Sequence, residues 1–368
     1  MTRHSTERAQ NLTTRDTTDT RERPRDDVDI VALTRALVDI DSTTGREGEA
    51  GRWLAEYLRG RGFEVTEQPV DGARVNLLAN PSGAAQRGDV AQGFSPAIVF
   101  STHLDCVPPF FPSRVEGDRL HGRGACDAKG IAAAQIAAAD RLRRDGESRV
   151  GLVFVVGEER GSDGARQANA LAGGCKFLID GEPTDNRLGL ATRGILRIKL
   201  RAQGRAAHSS YPELGDSAID KLLDALVELR SIALPSDPVL GRTHYTIGLI
   251  AGGVAPNVVS PSAEAEVMFR TVSAGEEIRR AVKGLEARVQ IEHVLEAPPV
   301  GMATVPGFEA VVFPYTTDIP FLDRWGTPLL VGPGSVTVAH TADEHIPIAE
   351  LHRAAEVYEK LVRELLRF

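Results

Sequence analysis

Cysteine is scarce in this sequence, and its scarcity indicates where the protein works. The chain of 368 residues contains three cysteines, Cys106, Cys126 and Cys175. An odd number without regular spacing argues against the disulfide framework that is typical of small secreted proteins. Free thiols persist in reducing compartments, so we expect a cytoplasmic protein.

Long apolar runs and a basic excess are missing as well. No stretch approaches the roughly 20 apolar residues of a membrane-spanning helix, so no membrane partner is expected. The formal net charge is −8, whereas nucleic-acid binding needs a basic stripe, so no nucleic-acid partner is expected either. Residues 1–27 are polar, carry both charge signs and lack the apolar core of a secretion signal. They are predicted to form a disordered tail.

What remains is an ordinary globular composition, with 42% hydrophobic and 26% charged residues, at a length that suits two domains. Residues 28–192 alternate between helical and strand-like segments, and this rhythm returns over residues 298–368. Alternation of this kind predicts an α/β domain with a mostly parallel sheet. The buried strands are "AIVFSTH", "RVGLVFVVG", "KFLID" and "TPLLVGPG", and the helices include "DAKGIAAAQIAAADRLRRDG", "GARQANALAG" and "IAELHRAAEVYEKLVRELLRF".

Between these two parts, residues 193–297 follow a different pattern. Half-exposed strands and amphipathic helices come in the order β-α-β-β-α-β, which is the ferredoxin-like unit. Its segments are "GILRIKLRAQG", "SAIDKLLDALVELRSI", "HYTIGLIAGG", "AEAEVMFRTV", "AGEEIRRAVKGLEARV" and "VQIEHVLE". The unit is complete in itself, so we interpret it as a domain inserted into the first one.

Acidic and imidazole side chains follow the predicted strands of the α/β domain. In open α/β sheets, ligands bind at the carboxyl ends of the strands. Carboxylates that converge there would raise each other's pKa values and destabilise the fold, whereas a bound dication would offset the repulsion. Imidazole with carboxylate suits zinc or cobalt, and the number of groups suggests two metals that share a carboxylate. The groups are His103, Asp105, Asp127, Glu158, Glu159, Asp180, Glu182 and His340.

The motifs that carry these groups are "HLDCVP", "GRGACDAKG", "GEERGSDGA", "GEPT" and "AHTADE". In type and order they resemble the motifs of the M20 family of zinc-dependent peptidases and amidohydrolases. The resemblance covers nearly the whole chain from about residue 29. It implies a metallohydrolase domain with an inserted domain for dimerisation or as a lid, and hence a homodimer.

The resemblance also implies roles for individual residues. One zinc ion would be held by His103, Asp127 and Glu182, and a second by Asp127, Glu159 and His340. Asp105 would orient His103, Glu158 would be the general base, and the Asp127–Ala128 peptide would be cis. The choice between Glu158 and Glu159 as base depends on the resemblance, because spacing alone leaves it open.

The inserted domain and the last loop supply further candidates. By the same resemblance, His208 would support the reaction from the partner subunit, and Asn257 and Arg270 would contact substrate. The backbone of Gly334 and Ser335 could meet a substrate carboxylate, although a plain turn is an equal interpretation. The remaining histidines match no motif position that needs a metal ligand. They are His121, His244, His293, His345 and His352.

These features together predict a metal-dependent amidohydrolase with two zinc ions, which cobalt could replace. Its expected partner is a small N-acyl amino acid, and removal of the acyl group would resemble acetylornithine or acetylcitrulline deacetylation. The alternatives are a dipeptidase or carboxypeptidase of the same family, or an N-succinyl amino acid desuccinylase. A metal-binding protein that has lost catalysis is a further possibility, but the presence of Asp127 and Glu158 argues against it.

Overall fold

The structure is a computed structural model that describes residues 27–82 and 96–367. Except for Asp27, the predicted tail lies outside the described residues. The helices are α1 (Ile30–Val38), α2 (Gly48–Gly60), α3 (Lys129–Arg144), α4 (Asp163–Ala168), α5 (Ala218–Leu229), α6 (Gly275–Val282) and α7 (Ile348–Leu365).

Within residues 27–82 and 96–367, the strands belong to five sheets. In chain order they are β1 (Phe63–Asp71), β2 (Arg74–Pro81), β3 (Ile98–His103), β4 (Arg114–Glu116), β5 (Arg119–His121), β6 (Val150–Val155), β7 (Phe177–Asp180), β8 (Leu188–Thr192), β9 (Gly194–Gln203), β10 (Ser236–Asp237), β11 (Gly241–Arg242), β12 (His244–Gly252), β13 (Ser262–Thr271), β14 (Gln290–Ala297), β15 (Val300–Gly301), β16 (Ala310–Phe313), β17 (Thr327–Leu330) and β18 (His345–Pro347).

The largest sheet has six strands in the order β1-β2-β6-β3-β7-β17. Strands β6, β3, β7 and β17 pair in parallel, while β1 and β2 add an antiparallel edge. The expected mixed α/β fold with a mostly parallel sheet is therefore present. The sheet brings the carboxyl ends of β3, β6, β7 and β17 to one edge.

Both faces of this sheet are covered, which explains the continuous apolar strands. Phe100 and Phe154 face a core that also contains buried residues of α1, α2, α3 and α7. Their chain neighbours Val99 and Val153 face the opposite way, towards α4 and the buried Trp325. Because successive strand residues point to opposite faces, one short strand contributes to two cores.

A second sheet has four antiparallel strands in the order β12-β13-β9-β14. With α5 and α6 these strands follow the expected β-α-β-β-α-β order, and their inward residues form a separate hydrophobic cluster with both helices. The outward face of the sheet is polar and carries ion pairs such as Lys199 with Glu266. The sheet therefore has a core of its own.

Two helices are shorter than the sequence predicted. The segment "GARQANALAG" is α-helical only to Ala168 and continues as a 3₁₀ turn over Asn169–Leu171. Likewise α6 ends at Val282 and is followed by a 3₁₀ segment over Lys283–Ala287, which contains Gly284. Glycine weakens a helix interior, which accounts for the early end of α6.

Among the described residues, no helix combines the length and the apolar composition needed to cross a bilayer.

Candidate metal centre and active site

The carboxyl edge of the six-stranded sheet gathers the acidic and imidazole groups. His103 is the last residue of β3, and β7 ends at Asp180, two residues before Glu182. Asp127 lies just before α3, and the loop after β17 leads to His340. Parallel strands end at the same edge, so groups far apart in the chain come within contact distance there.

The first group consists of His103, Asp127 and Glu182, all three buried. One ligand atom from each lies within 4.8 Å of the others, and His103 Nε2 is 3.0 Å from Asp127 Oδ1. The His103 side chain is only 2% exposed. These donors are the nitrogen and oxygen types that zinc-like ions bind.

The second group consists of Asp127, Glu159 and His340, again with ligand atoms within 4.8 Å of one another. His340 Nε2 lies 2.9 Å from Glu159 Oε1 and 3.4 Å from Asp127 Oδ2. The His340 backbone has a left-handed φ of 64°, which is uncommon for a non-glycine residue. Asp127 belongs to both groups and presents one carboxylate oxygen to each imidazole. The peptide that follows it, Asp127–Ala128, is cis as expected.

The electrostatics of this cluster favour a bound cation. Burial raises the pKa of Glu182 well above its usual range, and the nearby Asp127 and Glu158 raise it further. Burial also raises the pKa of Glu159, although its hydrogen bond with His340 works in the opposite direction. Carboxylates that are costly to ionise become favourable beside a dication. The donor set and its charge therefore fit two metal ions that share Asp127.

Glu158 and Glu159 lie side by side on a tight turn after β6. Gly157 has a φ of 80°, and a Cβ on it would lie 1.8 Å from Asp163 Oδ1, so this turn requires glycine. Both glutamates line the same cavity. Burial raises the pKa of Glu158 well above its usual range, partly offset by His103 and reinforced by Asp318.

Asp105 is fully buried and connects His103 with the two-glutamate turn. Its two carboxylate oxygens accept the backbone N–H groups of Glu158 and Glu159 at 3.1 and 3.2 Å, and Thr44 Oγ1 donates to it at 2.9 Å. The ring Nδ1 of His103 donates to the main-chain oxygen of Asp105 at 3.0 Å and lies 3.5 Å from its carboxylate. Asp105 thus holds the ring and the turn in one orientation.

A cavity of about 300 Å³ opens above these groups, and the four-stranded sheet forms part of its wall. Strands β9, β13 and β14 contribute outward-facing residues that include Arg197 and Arg270. Arg270 is half-buried, and among the described residues it forms no ion pair. Burial lowers its pKa, while Glu158 counteracts that effect. The cavity is therefore lined both by carboxylates and by the guanidinium groups of Arg160, Arg197 and Arg270.

The other expected substrate residues lie elsewhere. His208 and Asn257 are exposed and adjacent, with Ser209 N–H donating to the Asn257 carbonyl at 3.0 Å, and neither lines the cavity. The backbone N–H of Gly334 is already engaged by Glu350 Oε2 at 2.9 Å, so it is not free to bind a substrate carboxylate. Ser335 also does not line the cavity, although its neighbour Val336 does.

Glu344 is a positioning residue that the sequence reading missed. It is fully buried, and its Oε1 accepts the backbone N–H groups of Gly124, Cys126 and Asp127 at 2.9 to 3.2 Å. Its Oε2 accepts Arg123 Nη1 at 2.6 Å. Glu344 thus fixes the loop that presents Asp127. The only signal for it was an acid four residues after His340.

Comparisons with known proteins agree with this geometry. Residues 99–364 match the model of "Peptidase family M20/M25/M40". A "Probable carboxypeptidase" of Aspergillus terreus is 39% identical, and the match covers 91% of this chain and 86% of that protein. The chain belongs to this peptidase family.

Solved structures of the M20 family share the fold. A tripeptidase from Staphylococcus aureus has a TM-score of 0.77 at 20% identity, over 92% of this chain and 98% of that one. A dinuclear metal-binding peptidase of the M20 family from Bacillus subtilis has a TM-score of 0.69 at 17% identity, over 92% and 97%.

Membership of this peptidase family establishes the general type of reaction. This M20 protein is a hydrolase of amide or peptide bonds, from a family of metal-dependent enzymes. The finer expectation of an acetylornithine or acetylcitrulline deacetylase gains no support, because these relatives are named as peptidases.

Proposed function

We propose that this protein is a metal-dependent carboxypeptidase that cleaves the amide bond preceding a free C-terminal residue. The observation that carries the proposal is Arg270, a half-buried guanidinium without an ion-pair partner among the described residues, in the same cavity as Glu158. A guanidinium binds a carboxylate through two parallel hydrogen bonds. The name of the Aspergillus terreus relative, "Probable carboxypeptidase", favours a peptide over an N-acyl amino acid.

The two groups that share Asp127 would hold the metals. His103 and Glu182 would complete one set, and Glu159 and His340 the other. Metal ions in such a site lower the pKa of water and polarise a carbonyl group.

Glu158 supplies the proton transfer. A carboxylate oxygen of Glu158 accepts a proton from the attacking water as the new C–O bond forms. It then returns the proton to the leaving nitrogen as the C–N bond breaks. Glu158 lines the same cavity as the two proposed metal groups, so a carboxylate lies where both proton transfers would take place. Asp105 keeps the backbone of this turn fixed.

A matched substrate set tests the reaction. The zinc-loaded protein is assayed with an N-blocked dipeptide, its C-terminal amide, and the N-acetyl derivative of the released amino acid. We expect the dipeptide acid to have the highest kcat/KM and the amide to fall by about 30- to 1000-fold, since it leaves Arg270 unpaired. Faster cleavage of the N-acetyl amino acid would instead support the deacylase. Equal rates for acid and amide would contradict the role of Arg270.

We also propose that the protein works as a homodimer joined through the four-stranded sheet. Strand β12 is an edge of that sheet, and Leu249 and Ile250 on it are 64% and 58% exposed. Leu223 and Val227 on α5 are exposed as well, and Leu223 lines a shallow apolar cavity with Ile250. An apolar edge strand is rarely left uncovered. A second copy pairing edge to edge would cover it.

In such a dimer, His208 of the partner subunit would complete the site, since His208 and Asn257 do not line their own cavity. Mixing two inactive variants tests this arrangement. In a mixed dimer of Glu158→Gln and His208→Ala chains, one of the two sites has both residues. Random exchange makes half of the dimers mixed, so we expect about a quarter of the wild-type activity to return. No recovery after verified exchange would show that His208 does not act across subunits.

A further inference from the structure

A second cluster of histidines lies outside the cavity, on the three-stranded sheet β18-β5-β4. His121 ends β5, His345 begins β18, and Asp343 lies two residues before His345. We refer to these three residues as the peripheral cluster. Neither histidine matched a motif position that needs a metal ligand, and the proposed mechanism uses none of the three.

The sheet register places the two histidines directly opposite each other. His345 pairs with His121, and His121 pairs in turn with Arg114 on β4. Opposite residues of antiparallel strands project from the same face, and the two imidazole rings lie 5.0 Å apart between centroids. Both rings are largely buried, with side-chain exposures of 7% and 11%, whereas Asp343 is exposed.

The spacing of the ligand atoms suits a metal ion. One atom from each of the three residues lies within 4.8 Å of the others. His121 Nδ1 is 3.3 Å from Asp343 Oδ1. Two ligand atoms with bonds of about 2.0 to 2.1 Å at tetrahedral angles lie about 3.3 Å apart. His121 Nδ1 and Asp343 Oδ1 therefore already have the separation of two ligand atoms in a tetrahedral site.

Hydrogen bonds fix the rings in the form that a metal needs. His345 Nδ1 lies 2.7 Å from the carbonyl oxygen of Asp343. A carbonyl oxygen only accepts, so Nδ1 carries the proton and Nε2 keeps its lone pair in the neutral ring. A backbone carbonyl bound to the second ring nitrogen is the usual support of a metal-binding histidine. His121 Nδ1 accepts from Arg114 Nη2 at 3.3 Å, so this nitrogen carries no proton and its lone pair is engaged by the guanidinium.

Arg114 places a positive charge next to the peripheral cluster. Its Nη2 contacts His121 and lies 4.0 Å from Asp343 Oδ1. Arg114 is half-exposed and has another partner in Glu116, at 2.6 Å. The guanidinium would therefore keep its ion pair with Glu116 through Nε when a metal ion displaced Nη2 from His121.

We propose that the peripheral cluster binds one divalent transition-metal ion, with His121 Nδ1, the imidazole of His345 and a carboxylate oxygen of Asp343 as ligands. Two imidazoles and one carboxylate with an open fourth position select zinc-like ions over calcium or magnesium. The ion joins the β4–β5 hairpin to the segment that carries His340 and Glu344. The two elements already touch there, through the bond from Gly122 N–H to the Glu344 carbonyl at 3.1 Å. The site is thus a structural clamp next to the loop that presents Asp127.

Zinc content tests the proposal directly. The purified protein is dialysed against micromolar zinc, and the zinc bound per chain is measured by mass spectrometry for the wild type, His345→Phe and Asp343→Asn. We expect each variant to hold one zinc ion fewer than the wild type and to keep its hydrolytic rate at saturating zinc. The difference in zinc content between the wild type and each variant does not depend on how many ions the catalytic residues hold. His352→Asn, which removes another histidine, should match the wild type.

Two further measurements sharpen the test. Arg114→Gln should bind the additional zinc several-fold more tightly, because the competing cation is gone. Zinc should also raise the melting temperature of the wild type more than that of Asp343→Asn, a surface substitution that leaves the packing intact. Equal zinc content in the wild type and both ligand variants would overturn the proposal. Unchanged zinc affinity in Arg114→Gln would overturn the competition between Arg114 and the metal.

Discussion

The six-stranded and the four-stranded sheet differ in burial and in the residues that they contribute to the cavity. The central strands of the first are buried on both faces, and their carboxyl ends and the loops after them, together with the loop before α3, carry the residues of the two proposed metal groups. The second buries one face, presents Arg270 to the cavity from the other, and exposes an apolar edge. In the function that we propose, the buried sheet would position the chemistry, whereas the half-exposed sheet would recognise the substrate and a second copy.

Metal removal should have the largest effect on activity, through the two proposed metal groups at the edge of the six-stranded sheet. Chelation should abolish hydrolysis, and zinc should restore it, because both carboxylate groups depend on a cation. His340→Ala should hold one metal ion fewer than the wild type, measured by mass spectrometry, with His352→Ala as the control. If His340→Ala retained the full metal content, the assignment of His340 as a ligand would be wrong.

Glu158→Gln should come next, with a fall in kcat of about 10²- to 10⁴-fold. The amide keeps the size of the side chain but accepts no proton. Metal content and melting temperature should stay near wild type, and Glu309→Gln, an exposed glutamate, serves as the control. Near-normal turnover would move the role of base to another residue.

Arg270→Met probes the four-stranded sheet where it meets the cavity. We expect kcat/KM for the dipeptide acid to fall by about 30- to 1000-fold, while the rate on the C-terminal amide changes little. Arg201→Met is a matched control, since Arg201 lies on the same sheet but pairs with Glu264 and Glu292. An equal loss on both substrates would point to a general effect on the site.

Ile250→Lys should change the stability of the folded chain least, because surface substitutions usually change stability by about 0.5 kcal/mol or less. Its effect should fall on assembly, with a shift from dimer to monomer in light scattering. Val239→Lys, at another exposed apolar residue, should leave the mass unchanged. A persistent dimer in Ile250→Lys would place the interface elsewhere.

The short strands β4, β5 and β18 could not be predicted from the sequence, unlike the main helices and strands. The main helices and strands were predictable because their apolar periodicity is local. The strands of the peripheral cluster were not, since β4, β5 and β18 have only three residues each. The pairing of β18 with β5 joins segments more than 200 residues apart in the chain, and strands this short show no periodicity in the sequence.

By itself, the sequence determined the α/β class, the order of the inserted unit, and the acids and histidines at the strand ends. These features follow from local periodicity and from the rule that parallel strands end together. Only the tertiary structure decided that Glu344 holds the Asp127 loop, that the Gly334 N–H is engaged by Glu350, and that Arg270 lines the same cavity as Glu158. It also decided that His121 meets His345. Each of these depends on a contact between distant segments, which packing creates and no local pattern encodes.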